Sequence, residues 1–263
     1  MSRLAPMFDA CRAEGRAALV GYLPAGFPTV DGSIDAMRTM VDAGCDLVEV
    51  GVPYSDPVMD GPTIQAAATT ALRGGVRLRD VFRVVEAVAA AGGRAVVMTY
   101  WNPMYRYGVD AFARDLAAAG GLGVITPDLI PDEADDWLAA ADAADLDRVF
   151  LVAPSSTPAR IAMTAAASRG FLYAASTMGV TGARDTVSSS APALVAKVRT
   201  HSAIPVGVGL GVRSGAQAAE VAAFADAVIV GSAFVTAVSA GPAEVRALTA
   251  DLATGVRKVP TPT

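Results

Sequence analysis

The chain has 263 residues, a formal net charge of −5 and 53% hydrophobic content, enough to bury one large core. Its Lys and Arg stand singly, without the basic stripe that follows a nucleic-acid backbone, and no run approaches the ~20 apolar residues of a membrane span. The opening MSRLAPMFDACRAEGR lacks the continuous apolar core of a secretory signal, so a cytoplasmic protein that binds neither nucleic acid nor membrane is expected.

Leu4 to Glu14 read as a helix with Leu4, Phe8 and Cys11 on one face. Eight short apolar, β-branched runs follow: AALVGYL (17–23), DLVEVGV (46–52), AVVMTYW (95–101), LGVITPD (122–128), RVFLVAP (148–154), FLYAAST (171–177), PVGVGLG (205–211) and DAVIVGS (226–232). Amphipathic helical patterns lie between them, among them SIDAMRTMVDAG, RDVFRVVEAVAAAG, VDAFARDLAAAG, DEADDWLAAADAA, TPARIAMTAAAS and APALVAKVRT. Strict alternation implies parallel strands joined by right-handed crossovers. Eight such units in this length suit a single-domain α/β (β/α)₈ TIM barrel, residues 1–263, with the first helix across its bottom and additional helices in its loops. A doubly wound open sheet is the alternative. The stretch from about residue 256 to 263 reads as a loose tail.

Cys11 and Cys45 lie far apart, without metal-ligand spacing, and read as small core residues. The single His201 follows a helical pattern, where a helix C-terminus favours a cationic side chain. No metal site is expected.

One residue in the second run breaks the apolar rule. Glu49 stands between Val48 and Val50, where an isolated ionised carboxylate is costly to bury. Side-chain alternation sends Val48, Val50 and Val52 outward to the helices and leaves Leu47, Glu49 and Gly51 pointing into the barrel. A carboxyl in a narrow apolar cavity has its pKa raised toward neutrality, the tuning a proton shuttle needs. The following PYSDPVMDGP carries Asp56 and Asp60, and Pro62 suits the first position of a helix. Asp56 reads as a turn residue ahead of Pro57; for Asp60 a turn and a functional role are equally open.

The last two runs lead into GVGLGVRSG and IVGSAF, where barrels often cradle a phosphate on backbone N–H groups. A dinucleotide fingerprint is excluded, because Val212 stands where its third glycine is required. The segment after the sixth run, STMGVTGARDTVSSS, reads as a mobile flap.

The run EVGVPYSDPVMDGPTIQ closely resembles the signature segment of the tryptophan synthase α chain family, E-x-G-x-P-[FY]-S-D-P-x-x-D-G-P. GYLPAGFP, YWNP, the Pro-Asp pair at 127–128, APSSTP, STMGVTGAR, VGVGLGV and VGSAFV follow in the family's order over the whole chain. The resemblance implies a barrel that cleaves indole-3-glycerol phosphate to indole and glyceraldehyde 3-phosphate. Indole then passes to a pyridoxal-phosphate-dependent β chain in an α₂β₂ heterotetramer, with no cofactor in this chain.

The resemblance also implies site roles. Glu49 is the general acid/base, Asp60 the second acid at the indole N–H, and Tyr173 the third catalytic residue, near the glutamate and the substrate glycerol. Gly182, Gly211, Gly231 and Ser232 bind phosphate; Tyr22, Met98 and Ile125 line the indole pocket; Thr181 belongs to the flap; Asp56 and Asp128 lie nearer the β-chain contact. Tyr22 and Met98 stand where some members carry Phe and Leu, and Val58-Met59 replaces the more usual Leu-Ala, departures that touch the pocket and not the chemistry. A free-standing indole-releasing lyase and a turnover-poor activator of a β chain are the competing functions, and the retained Glu49 and Asp60 speak against the latter.

Overall fold

The computed structural model describes residues 1–175, 190–209 and 211–257. All eight apolar runs form strands: β1 (Ala18–Pro24), β2 (Leu47–Gly51), β3 (Ala95–Met98), β4 (Gly123–Ile125), β5 (Asp147–Val149), β6 (Leu151–Val152), β7 (Leu172–Ala175), β8 (Val206–Gly209) and β9 (Ala227–Val230). The fifth run supplies both β5 and β6, which are separated by Phe150 alone. The spatial order is β5-β4-β3-β2-β1-β9-β8-β7-β6, and every recorded strand pair is parallel. Because β5 bonds one neighbour and β6 the other, the interrupted fifth strand closes the ring. The open-sheet alternative is thereby excluded, and the fold is a (β/α)₈ barrel.

Side-chain parity follows the sequence pattern. Val48 and Val50 pack outward in the layer between strands and helices, whereas Ala18, Val20, Leu47, Val96, Ile125, Val149, Phe171, Ala227 and Ile229 fill the interior as a separate cluster. The surrounding helices start where capping chemistry allows. Thr29, Thr157 and Ser214 each accept a first-turn backbone N–H, and Pro62 opens the helix Pro62–Arg73. Additional helices appear as expected, and the short helix Trp101–Tyr107 after β3 starts at the last residue of the third run and continues through residues that the sequence pattern assigns to no element.

The helix Ala5–Ala13 crosses the N-terminal end of the barrel. Leu4, Met7, Phe8 and Cys11 join the interior cluster, and Phe8 meets Phe171 at a ring-centroid distance of 5.9 Å. Asp147, fully buried at the start of β5, fixes this segment. Its carboxylate accepts from Ser2 Oγ (2.7 Å), Arg3 N (3.1 Å), Leu4 N (2.9 Å) and Arg169 Nε (2.9 Å). Sequence periodicity did not single out this aspartate, because its partners lie up to 145 positions away.

Both cysteines are free and buried, and burial pushes the Cys11 thiol up to about 11. His201 is exposed just beyond the helix Ser190–Arg199, its backbone N–H donating to the Val198 carbonyl. The last helix, Pro242–Val256, runs into the stretch expected to be loose, because Val256 is buried against the barrel; residues 258–263 lie outside the described residues. Among the described residues no helix is long and apolar enough to cross a membrane, and no cluster of acids, histidines or cysteines could hold a metal ion.

Asp147→Ala would take the acceptor from Ser2 Oγ and Arg3 N and one of two acceptors from Leu4 N, while the Arg169 guanidinium keeps Asp145 and the Leu146 carbonyl. It should cost about 2–4 kcal/mol through the unsatisfied buried donors, read as a lower midpoint in chemical denaturation. An unchanged midpoint would remove the anchoring role.

Candidate active site

Glu49 points into the barrel from β2, as parity required, and is 1% exposed. Its Oε1 is buried with no hydrogen-bond partner. Desolvation raises its pKa to about 8, so the group is predominantly a neutral acid at pH 7. Tyr22 is the register partner of Glu49 on β1.

Asp60 stands beyond the end of β2, just before the helix that begins at Pro62. It is 9% exposed. Burial lifts its pKa to about 6, against the lowering effect of a hydrogen bond from Tyr100; Tyr100 Oη donates to Oδ2 at 3.2 Å. The Asp60 carbonyl accepts from Gln65 Nε2 at 2.8 Å. Asp60 is therefore a held carboxylate as well as a turn residue, its N–H donating to the Pro57 carbonyl.

Two tyrosines complete the polar lining. Burial raises the pKa of Tyr22 and of Tyr173 well above the ordinary phenol range, and both carboxylates, Glu49 and Asp60, add to the effect. These four groups thus share one chamber. Each tyrosine occupies space left by a glycine: a side-chain carbon on Gly51 would come within 2.5 Å of the Tyr22 hydroxyl, and one on Gly209 within 2.4 Å of the Tyr173 hydroxyl. Met98 and Ile125 are inward residues packed in or against the interior cluster.

The glycine-rich ends of β8 and β9 border the same mouth. Gly211 has φ +69°, a conformation that favours glycine. Gly231 caps the helix Ser232–Ala240, and Ser232 is its first residue. A carbon on Gly231 would lie 3.4 Å from the Tyr22 ring, which brings this helix N-terminus to the tyrosine that adjoins Glu49. Thr181 and Gly182 lie outside the described residues.

Asp56 accepts from Ser55 Oγ at 2.5 Å within an exposed turn. Asp128, after β4, accepts from Trp101 N at 2.8 Å and so caps the Trp101–Tyr107 helix. Tyr100 and Tyr54 escape the sequence reading as individual residues. Their rings stand 5.3 Å apart, and the available signal was the aromatic-rich YWNP at the mouth end of a strand.

A (β/α)₈ barrel with a buried acid, a second carboxylate and a glycine-lined helix terminus at one mouth is built as an enzyme with its active site there. The family model for the tryptophan synthase alpha chain matches residues 8–260. The tryptophan synthase alpha chain of Mycobacteroides abscessus is 70% identical over 256 residues, covering 97% of this chain and 98% of the relative. That of Nocardia farcinica is 71% identical over 256 residues, covering 97% and 96%. A solved structure of Mycobacterium tuberculosis tryptophan synthase superposes with a TM-score of 0.95 at 69% identity, covering 97% of this chain and 98% of that one. This chain belongs to the tryptophan synthase alpha chain family. Its reaction is the cleavage of indole-3-glycerol phosphate to indole and glyceraldehyde 3-phosphate, and the alpha chain acts with a beta chain, which carries pyridoxal phosphate.

Gly209→Ala should destabilise the chain by about 1–3 kcal/mol through overpacking against Tyr173. The loss should shrink in a Tyr173→Phe background, which removes the clashing oxygen. Equal melting shifts in both backgrounds would show that the glycine is not there for the tyrosine.

Proposed function

We propose that Glu49 and Asp60 carry the cleavage as a neutral acid and an anion held in one chamber. The observation that carries this reading is the contrast in surroundings: Glu49 is 1% exposed with Oε1 unpartnered, whereas Asp60 is hydrogen-bonded by Tyr100, so burial pushes Glu49 up to about 8 and Asp60 only to about 6. Protonated Glu49 donates its proton to indole C3, and the ring becomes a cationic indolenine. Ionised Asp60 accepts the ring N–H and stabilises the charge that develops there. The carboxylate left on Glu49 then takes the proton of the glycerol hydroxyl next to the ring. As that C–O becomes a carbonyl, the bond to C3 breaks and its electrons return to the ring, giving indole and the aldehyde. Glu49 ends protonated, so the cycle closes without a metal or a cofactor of this chain.

Tyr173 orients the glycerol beside Glu49, and Tyr22, Met98 and Ile125 bound the indole. Gly211, Gly231 and Ser232, with Gly182, hold the phosphate at the helix N-terminus, and Thr181 belongs to a flap that excludes water. The placement of Gly231 against the Tyr22 ring supports this arrangement. A cytoplasmic location and an α₂β₂ assembly belong to the same proposal. Exposed Val58, Tyr105 and Ile130 follow β2, β3 and β4 at the mouth, and they supply an apolar rim for the beta chain close to Asp56 and Asp128.

Indole release from indole-3-glycerol phosphate, measured with and without a beta chain, tests reaction and partnership together. The rate should follow a bell with limbs near 6 and 8, because Asp60 must lose its proton and Glu49 must keep one. Glu49→Gln and Asp60→Asn should each remove cleavage while leaving a folded chain; near-normal turnover in either would sink that residue's role.

The Glu49 shift also has a stability consequence. Its folded pKa, about 8, exceeds the ordinary 4.5, so the folded state binds a proton that the unfolded state has lost, and stability falls as pH rises through that window. Glu49→Gln should flatten this dependence in melts recorded across the same range. Ile130→Asp, on the rim, should reduce the rate gain on adding a beta chain and spare the rate of the chain alone.

A further inference from the structure

We infer that Tyr100 is the positioning residue for Asp60, holding one carboxylate oxygen and bracing the loop that carries it, so that the other oxygen is left for the substrate. The inference rests on the reading of Asp60 as the anion beside the ring N–H. It comes from three contacts of one phenol. Tyr100 Oη donates to Asp60 Oδ2 at 3.2 Å and accepts the Met59 N–H at 3.0 Å. Its hydroxyl thus bonds both the side chain of Asp60 and the backbone immediately before it. Its ring lies against Tyr54, from the other end of the same loop, with centroids 5.3 Å apart.

The brace continues into the next element. Tyr54 Oη accepts from Asn102 Nδ2 at 3.0 Å, and Trp101 N donates to Asp128. Tyr100 is 6% exposed, so its hydroxyl has little competition from water. Among the described residues Asp60 Oδ1 accepts no recorded hydrogen bond, which leaves it available to a ring N–H.

A hydroxyl donating to a carboxylate favours the ionised form. Removing it therefore has a sign: Asp60 will hold its proton to higher pH. The groups acting on this cluster are Glu49 from β2, Tyr22 from β1, Tyr173 from β7 and Asp128 from the segment after β4. None carries a positive charge that would offset the loss of the Tyr100 hydrogen bond.

The test compares the full chain with Tyr100→Phe, which keeps the ring against Tyr54 and deletes only the hydroxyl. Indole release is followed as kcat/KM against pH, with thermal unfolding recorded alongside. The acid limb should move up by roughly one unit, the size of one hydrogen bond to a charged group, while the basic limb set by Glu49 stays in place. An acid limb that does not move overturns the inference, whatever the change in rate or melting temperature. Asp60→Asn, assayed in parallel, separates the two readings. If it is inactive and the Tyr100→Phe limb is unmoved, only the positioning role falls; if it turns over normally, the Asp60 role falls and the Tyr100 role with it.

Discussion

The site depends on the desolvation of a single carboxyl. A glutamate in water is an anion at neutral pH and cannot act as an acid; surrounded by the interior of a parallel barrel, Glu49 keeps its proton because no buried partner compensates an ionised form. The surrounding chain supplies that environment. Eight strands make a closed wall with no sheet edge for water to reach, the valines on either side of Glu49 face helices, and the alternate positions bring it inward. Under the proposed function, the cost is accepted at this one point because the proton is the reagent.

The chamber is shaped as much by missing side chains as by present ones. Gly51 and Gly209 let the Tyr22 and Tyr173 hydroxyls lie over neighbouring strands, where any β-carbon would displace them. Tyrosines in this position give the chamber hydroxyls without cationic side chains, so the environment of Glu49 remains unfavourable to charge. Asp60 sits at the edge of this region, more exposed than Glu49 and hydrogen-bonded. The difference in solvation and partners, and not in residue type, sets the two carboxylic acids apart.

Much of this was legible in the sequence because it rests on short periods. The eight strands announced themselves as apolar runs, and the inward direction of Glu49 followed from counting by twos. What remained hidden depends on distant partners. Asp147 looks like any polar residue ahead of a strand, and only the folded chain brings Ser2, Arg3, Leu4 and Arg169 to its carboxylate. Asp60 could not be told from a turn residue by composition; family resemblance raised its standing, and the contact with Tyr100, 40 positions away, supplied the physical distinction. The fifth run read as one strand, whereas Phe150 divides it so that its two halves can bond different neighbours.

The helix Ala5–Ala13 acts as a stopper in the N-terminal end of the barrel, and this makes the chamber a blind alley. Among the described residues, the opening beside Glu49 therefore lies at the opposite end from this helix. Under the proposed function, a beta chain docked on the rim of that opening would stand across the indole ring's way out.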